Sequence, residues 1–125
     1  MVSKKRKVLV VEDEAPLRKI MVQKLKEEGF EVIEAFNGKQ GLKKALKEHP
    51  NLILLDIIMP EMDGLEMLSR LRDDKWGKKA EVVILSVVNN PKEVQKAMDE
   101  QVFNFWVKSD WKLSEIIKEV KNRLI

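Results

Sequence analysis

Cysteine is absent from the 125 residues, which excludes a disulfide framework and any thiolate-bound zinc. A reducing compartment suits such a chain, and a cytoplasmic location is expected. Histidine occurs once, as His49 before Pro50; no second imidazole exists to pair with it, and its place before a proline marks a helix end rather than a catalyst. No apolar run approaches the roughly 18 residues of a membrane span. The start, Met1-Val2-Ser3-Lys4-Lys5-Arg6-Lys7, has basic residues but only a very short apolar stretch after them, which argues against a signal peptide. Linkers, internal repeats and low-complexity segments are lacking too. What is present fits one domain over 1–125, long enough for a single sizeable core.

Charged residues make up 36% of the chain, so its surface is well solvated. Lys4, Lys5, Arg6 and Lys7 alone exceed the net charge of +3, which makes residues 1–6 a basic leader to the first strand, not a nucleic-acid-binding face. No direct contact with nucleic acid or membrane is expected.

Short apolar runs alternate with amphipathic stretches five times, the pattern of βα units and a parallel sheet. Strands are expected at Lys7 to Val11, Glu31 to Ala35, Asn51 to Leu55, Glu81 to Val87 and Phe103 to Val107. The first, third and fourth are continuously apolar, as strands covered on both faces must be, whereas the second is more polar and suits an edge. The helices between them bring inward Leu17, Ile20, Met21 and Leu25, then Leu42, Ala45 and Leu46, then Leu65, Met67, Leu68 and Leu71, then Val94, Ala97 and Met98. The last presents Leu113, Ile116, Ile117, Val120 and Leu124. Gly29 stops the first helix, Asn37-Gly38 opens the second, Asp63 caps the third, Asn90-Pro91 opens the fourth, and Ser109 or Asp110 caps the fifth.

In an open parallel α/β sheet, ligands bind beyond the carboxyl ends of the strands. The residues with chemistry stand there: Glu12 and Asp13 after the first strand, Asp56 after the third, Ser86 near the end of the fourth, and Lys108 after the fifth. Clustered carboxylates repel one another unless a cation neutralises them, and hard oxygen ligands suit Mg²⁺, with Mn²⁺ as a substitute. Such an ion also shields a phosphoryl oxygen, so that a carboxylate can attack phosphorus and form an aspartyl phosphate. A lysine ammonium and a serine hydroxyl supply a charge and a hydrogen bond to the remaining oxygens.

The segments Val10-Val11-Glu12-Asp13-Glu14, Leu54-Leu55-Asp56, Met59-Pro60-Glu61-Met62-Asp63-Gly64, Ile84-Leu85-Ser86 and Val107-Lys108 follow in the order and spacing of a response-regulator receiver domain. Along its whole length the chain resembles this CheY-like family of two-component signalling. The resemblance implies a doubly wound, flavodoxin-like five-stranded parallel sheet in the order 2-1-3-4-5 with five helices. It makes Asp56 the phosphoacceptor, Asp13 a direct Mg²⁺ ligand, Glu12 a second acid acting on the metal through water, and the Ile58 backbone carbonyl a further ligand. Ser86 matches the switch hydroxyl, Phe105 the switch aromatic, and Lys108 the lysine bridging phosphoryl group and acids. The implied phosphoryl donor is a sensor histidine kinase or a histidine phosphotransfer protein. The output is a population shift on the surface of the fourth helix, fifth strand and fifth helix, which would dock a downstream protein or output domain, or a second copy as a homodimer. Trp106 faces the other side of its strand and packs. Trp111 is either an exposed anchor there or a packed ring.

Two departures from the family stand out. Ser109 replaces the proline that usually follows the lysine through a cis bond; a cis Lys108–Ser109 bond would cost about 2.5 to 4 kcal/mol, so trans is expected. Ile58 and Val88 are apolar where many relatives carry water-orienting side chains, so the phosphorylated form should hydrolyse slowly. A phosphorylation-independent scaffold or dimerisation module is the alternative reading, disfavoured by the intact acids. A phosphohydrolase ranks last, because Ile58 stands where an aspartyl phosphatase has its second aspartate. The chain is thus expected to catalyse only its own modification and slow dephosphorylation. No output domain follows within the 125 residues, and both a stand-alone regulator and a receiver fragment of a longer protein fit.

Overall fold

The computed structural model describes residues 5–59, 61–86, 91–102, 104–108 and 111–124. Asn90, Ser109 and Asp110, expected as caps, lie outside these residues, as do the expected strand ends Val87 and Phe103, together with Val88 and the Lys108–Ser109 bond. The described elements run β1 (Lys7–Val11), α1 (Ala15–Glu27), β2 (Glu31–Ala35), α2 (Gly38–Glu48), β3 (Leu52–Leu55), α3 (Gly64–Arg72), a 3-10 turn (Gly77–Lys79), β4 (Val82–Ser86), α4 (Pro91–Asp99), β5 (Phe105–Val107) and α5 (Leu113–Leu124). The sequence pattern had not indicated the 3-10 turn.

Five parallel strands pair in the order β2-β1-β3-β4-β5, the doubly wound arrangement expected. Strand pleating sends alternate side chains to opposite faces. Leu9 and Val11, Ile53 and Leu55, and Val82 and Ile84 pack with Ala45 of α2, Met67, Leu68 and Leu71 of α3 and Ala97 of α4. Val8 and Val10, Leu52 and Leu54, and Val83 and Leu85 pack with Met21, Val22 and Leu25 of α1 and Ile116, Ile117 and Val120 of α5. Each fully buried leucine, such as Leu9 or Leu55, stabilises the fold by about 1.5 to 3 kcal/mol.

The helix boundaries have local causes. Gly29, past the end of α1, takes φ 94°, which only glycine adopts freely. The Asn37 side chain accepts from the Gln40 amide at 2.8 Å and Asp63 from the Glu66 amide at 2.9 Å, two side-chain caps at the expected places. His49 ends α2 in the left-handed region at φ 48°, its ring stacked 4.2 Å from Trp76, consistent with a helix-end role. At α5 the Glu115 carboxylate reaches back to the Lys112 amide at 2.8 Å.

Three side chains assigned inward are exposed instead: Ile20 at 43%, Leu46 at 36% and Met98 at 45%. Each sits at the margin of a helical stripe whose centre is already filled: Val22 replaces Ile20 on the buried face of α1, and Gly41 and Ala45 let α2 approach the sheet closely. Among the described residues no helix is long and apolar enough to cross a membrane.

Candidate functional site

The chain leaves β1 for β2 on one side and returns past it to β3 on the other, so the carboxyl ends of β1 and β3 flank the topological switch point. Glu12 directly follows β1 and Asp56 follows β3. The Glu12 amide donates to the Ala35 carbonyl at 3.0 Å, and the Asp56 amide to the Val11 carbonyl at 3.0 Å. These ladder-like bonds carry both acids one residue beyond their strands. Both are buried, and Asp13 is exposed at the rim. One carboxylate oxygen from each of Glu12, Asp13 and Asp56 lies within 4.8 Å of the others.

The loop after Asp56 is folded tightly against it. The Ile57 amide donates to Asp56 Oδ1 at 2.8 Å, and the Gly64 amide closes the loop onto the Ile57 carbonyl at 2.8 Å. A β-carbon on Gly64 would collide with the Asp56 carbonyl, so only glycine lets α3 begin this close to the acid. Glu61 in the same loop takes φ 67°, a conformation non-glycine residues rarely adopt. Ile58, two residues past Asp56, is 53% exposed.

Lys108, one residue past β5, spans the cleft. Its Nζ donates to Glu12 Oε1 at 2.6 Å and stands 3.5 Å from Asp56 Oδ2. Burial pulls the ammonium pKa down, but the Glu12 hydrogen bond and the charges of Asp56 and Glu12 outweigh it and leave a net rise. Burial pushes the Asp56 carboxyl up and Glu12 repels its charge; Lys108 offsets only part of this, and the pKa stands at about 7 instead of 3.8. An aspartate that holds its proton near neutrality is short of positive charge. A hard divalent cation among these three oxygen donors supplies it, so the donor set fits Mg²⁺ or Mn²⁺.

Ser86, fully buried, ends β4, and its register partner is Val107 of β5. Phe105 is half-buried on the α4 side of the sheet, whereas Trp106 is buried on the α5 side, the alternation expected. Trp111 is a packed ring, stacked on Trp106 at 4.4 Å, and the Arg123 guanidinium lies 5.8 Å from the Trp106 ring centre.

A sequence model of the family described as "response regulator receiver domain" matches residues 8–121. The chain belongs to that family. A probable transcriptional regulator, ycf27 of Pyropia yezoensis, is 43% identical over 74 residues, 59% of this chain and 30% of its own length; the matched receiver segment thus spans about a third of that curated relative. The receiver structure from Methanospirillum hungatei, described as CheY-like, superposes with a TM-score of 0.88 at 23% identity, covering 97% of this chain and 94% of its own, a likeness of fold. The response regulator TrrA of Thermotoga maritima, solved in complex with Mg²⁺ and BeF, gives 0.80 at 31% identity over 94% of this chain and 98% of its own.

Sequence reasoning singled out every acid and the lysine of this receiver cluster but passed over Arg18. Its side chain lies along the β1–α1 loop, with Nη1 donating to the Glu12 carbonyl at 3.0 Å and the Asp13 carbonyl at 3.5 Å. Nε binds Glu34 Oε1 at 3.1 Å. A cation four residues after Glu14, the last of three consecutive acids, was the available signal.

Proposed function

We propose that this receiver domain accepts a phosphoryl group on Asp56 from a phosphohistidine on a sensor kinase or phosphotransfer protein, acting in the cytoplasm. The observation that carries this reading is the convergence of three carboxylates and one ammonium at the switch point, with Asp56 buried among them. Asp13 and Asp56 would hold Mg²⁺ directly, with the Ile58 carbonyl, and Glu12 through water. When bound, the ion supplies positive charge that favours the ionised carboxylate and a Lewis acid for the phosphoryl oxygens.

Asp56 must be ionised to act as a nucleophile. Its carboxylate oxygen forms a bond to phosphorus while the bond from phosphorus to the donor nitrogen breaks; the imidazole leaves with that electron pair and takes a proton from solvent. Lys108, already within ion-pair distance of Asp56, binds one phosphoryl oxygen, and the Ser86 hydroxyl donates to another. Drawing Ser86 toward the phosphoryl group changes the packing beside β5, and Phe105, half-buried under α4, takes up the change. The surface of α4, β5 and α5 is then biased toward its target, a downstream protein, an output domain or a second copy. The domain catalyses only its own phosphorylation and slow dephosphorylation.

The test is intact-mass measurement after incubation with Mg²⁺ and a small acyl phosphate. One added phosphoryl group is expected in the native chain and none in Asp56→Asn or with the metal chelated. Modification that survives Asp56→Asn would reject the site, and no modification of the native chain would favour a phosphorylation-independent module.

A further inference from the structure

Glu12 and Asp13 sit on a connection of three residues between β1 and α1, and Glu14, the residue at the helix start, makes no side-chain cap. Such a loop does not hold two repelling carboxylates in one place by itself. Beyond the Glu12–Ala35 backbone bond and the Lys108 ammonium on Glu12 Oε1, two contacts close it. The Glu14 amide donates to Glu12 Oε2 at 3.2 Å, and the Arg18 guanidinium gathers the Glu12 and Asp13 carbonyls on a single nitrogen, Nη1.

Arg18 is itself fixed on its far side. Its Nε is paired with Glu34 Oε1 on β2 at 3.1 Å, and its side chain is only 12% exposed. The Phe36 ring, 51% exposed and otherwise unexplained at the surface, lies 5.7 Å from the guanidinium carbon, within cation–π range. One planar fork therefore ties the metal-binding loop to the edge strand through two carbonyls, one carboxylate and one aromatic face. A lysine cannot reproduce that set, because an ammonium has neither the fork nor the flat face.

We infer that Arg18 is a positioning residue that sets the backbone of Glu12 and Asp13 and so preorganises the carboxylate pair for a divalent cation. This deepens the phosphoacceptor reading and rests on it for the identity of the cation. The sign of the effect separates positioning from plain electrostatics. A guanidinium near the site repels Mg²⁺, so removing only its charge strengthens binding, whereas losing the brace weakens it.

The experiment is Mg²⁺ titration calorimetry on the native chain, Arg18→Met and Arg18→Lys, with amide hydrogen exchange on the metal-free proteins. Loss of a residue that orients metal ligands weakens affinity by about 10- to 100-fold, and that loss is expected for Arg18→Met. Arg18→Lys should recover less than half of it on a logarithmic scale. In the metal-free state the Glu14 amide should exchange faster in both variants while the β3 and β4 amides keep native protection, which verifies the fold. Unchanged or tighter Mg²⁺ binding by Arg18→Met, full recovery by Arg18→Lys, or native protection at Glu14 in both variants would each overturn the inference. A native chain that takes up no Mg²⁺ would instead overturn the metal reading, and the exchange data would still decide whether Arg18 braces the loop.

Discussion

Without a divalent cation, the buried Asp56 makes the fold less stable as the solution becomes more alkaline. Its carboxyl stands at about 7 in the native protein against 3.8 for the free group, chiefly through burial and then through Glu12. Between those values the native state holds a proton that the unfolded chain has released, so stability falls as pH rises. The stabilisation is fully present below 3.8 and is lost as pH climbs through about 7. At about 1.4 kcal/mol per pH unit, the part lying between about pH 5 and pH 8 comes to about 3 kcal/mol. That figure is a ceiling, because loosening of the loop beyond Asp56 would admit water. Asp56→Asn removes the ionisation and keeps the shape, so the difference between the two proteins reports Asp56 together with its charge interactions with Glu12 and Lys108. Urea unfolding of both proteins in chelator, at about pH 5 and pH 8, should show the native chain losing up to about 3 kcal/mol more than the variant. Saturating Mg²⁺ should shrink that gap at the higher pH. Parallel losses in the two proteins would refute the argument that Asp56 carries a raised pKa in a buried, like-charged site.

Other perturbations have defined signs. Lys108→Met removes the ammonium held 2.6 Å from Glu12 and 3.5 Å from Asp56; leaving buried carboxylates unpaired should cost the metal-free protein about 3 kcal/mol in urea unfolding at alkaline pH. The same variant should bind Mg²⁺ more tightly in calorimetry, since it lacks a competing cation, and weaker binding would contradict the geometry. Gly64→Ala drives a methyl group into the Asp56 carbonyl and should lower the urea midpoint by the equivalent of about 1 to 3 kcal/mol or more; a native midpoint would show that the loop yields freely. Ile58, two residues past Asp56 and exposed, has an apolar side chain that offers attacking water no hydrogen bond. Ile58→Asn should therefore speed loss of the phosphoryl group by about fivefold, the worth of about one hydrogen bond. Equal decay by intact mass would show that position 58 does not govern the rate of hydrolysis.

Much of this architecture was readable because hydrophobic burial imposes a period. The continuous runs Val8 to Val11 and Leu52 to Leu55 announced strands covered on both faces, and the acids and lysine directly beyond such strands announced the crevice. Margins were harder. Ile20, Leu46 and Met98 have apolar side chains at helical spacing, yet burial depends on how closely each helix approaches the sheet, which small residues such as Gly41 and Ala45 decide. Long polar side chains were least legible. Arg18 reaches two carbonyls and a neighbouring strand, and Arg72 at the end of α3 donates to the Glu100, Gly77 and Ala80 carbonyls at 2.6 to 2.8 Å. Those partners lie together only after the chain has folded. The 3-10 turn escaped notice for the same reason: its shape depends on the Gly77 amide bonding Asp74 Oδ2 at 2.8 Å and on the Arg72 clamp, not on any period.

The central claim is that Asp56, and no other group, carries the phosphoryl bond. Borohydride reduction of the protein after treatment with Mg²⁺ and an acyl phosphate, followed by peptide mapping, addresses it directly, because an acyl phosphate is reduced to an alcohol and an ordinary carboxylate is not. Position 56 should be recovered as homoserine, in proportion to the phosphorylated fraction and only when metal was present. Homoserine at Asp13 or another aspartate, with position 56 intact, would contradict the account.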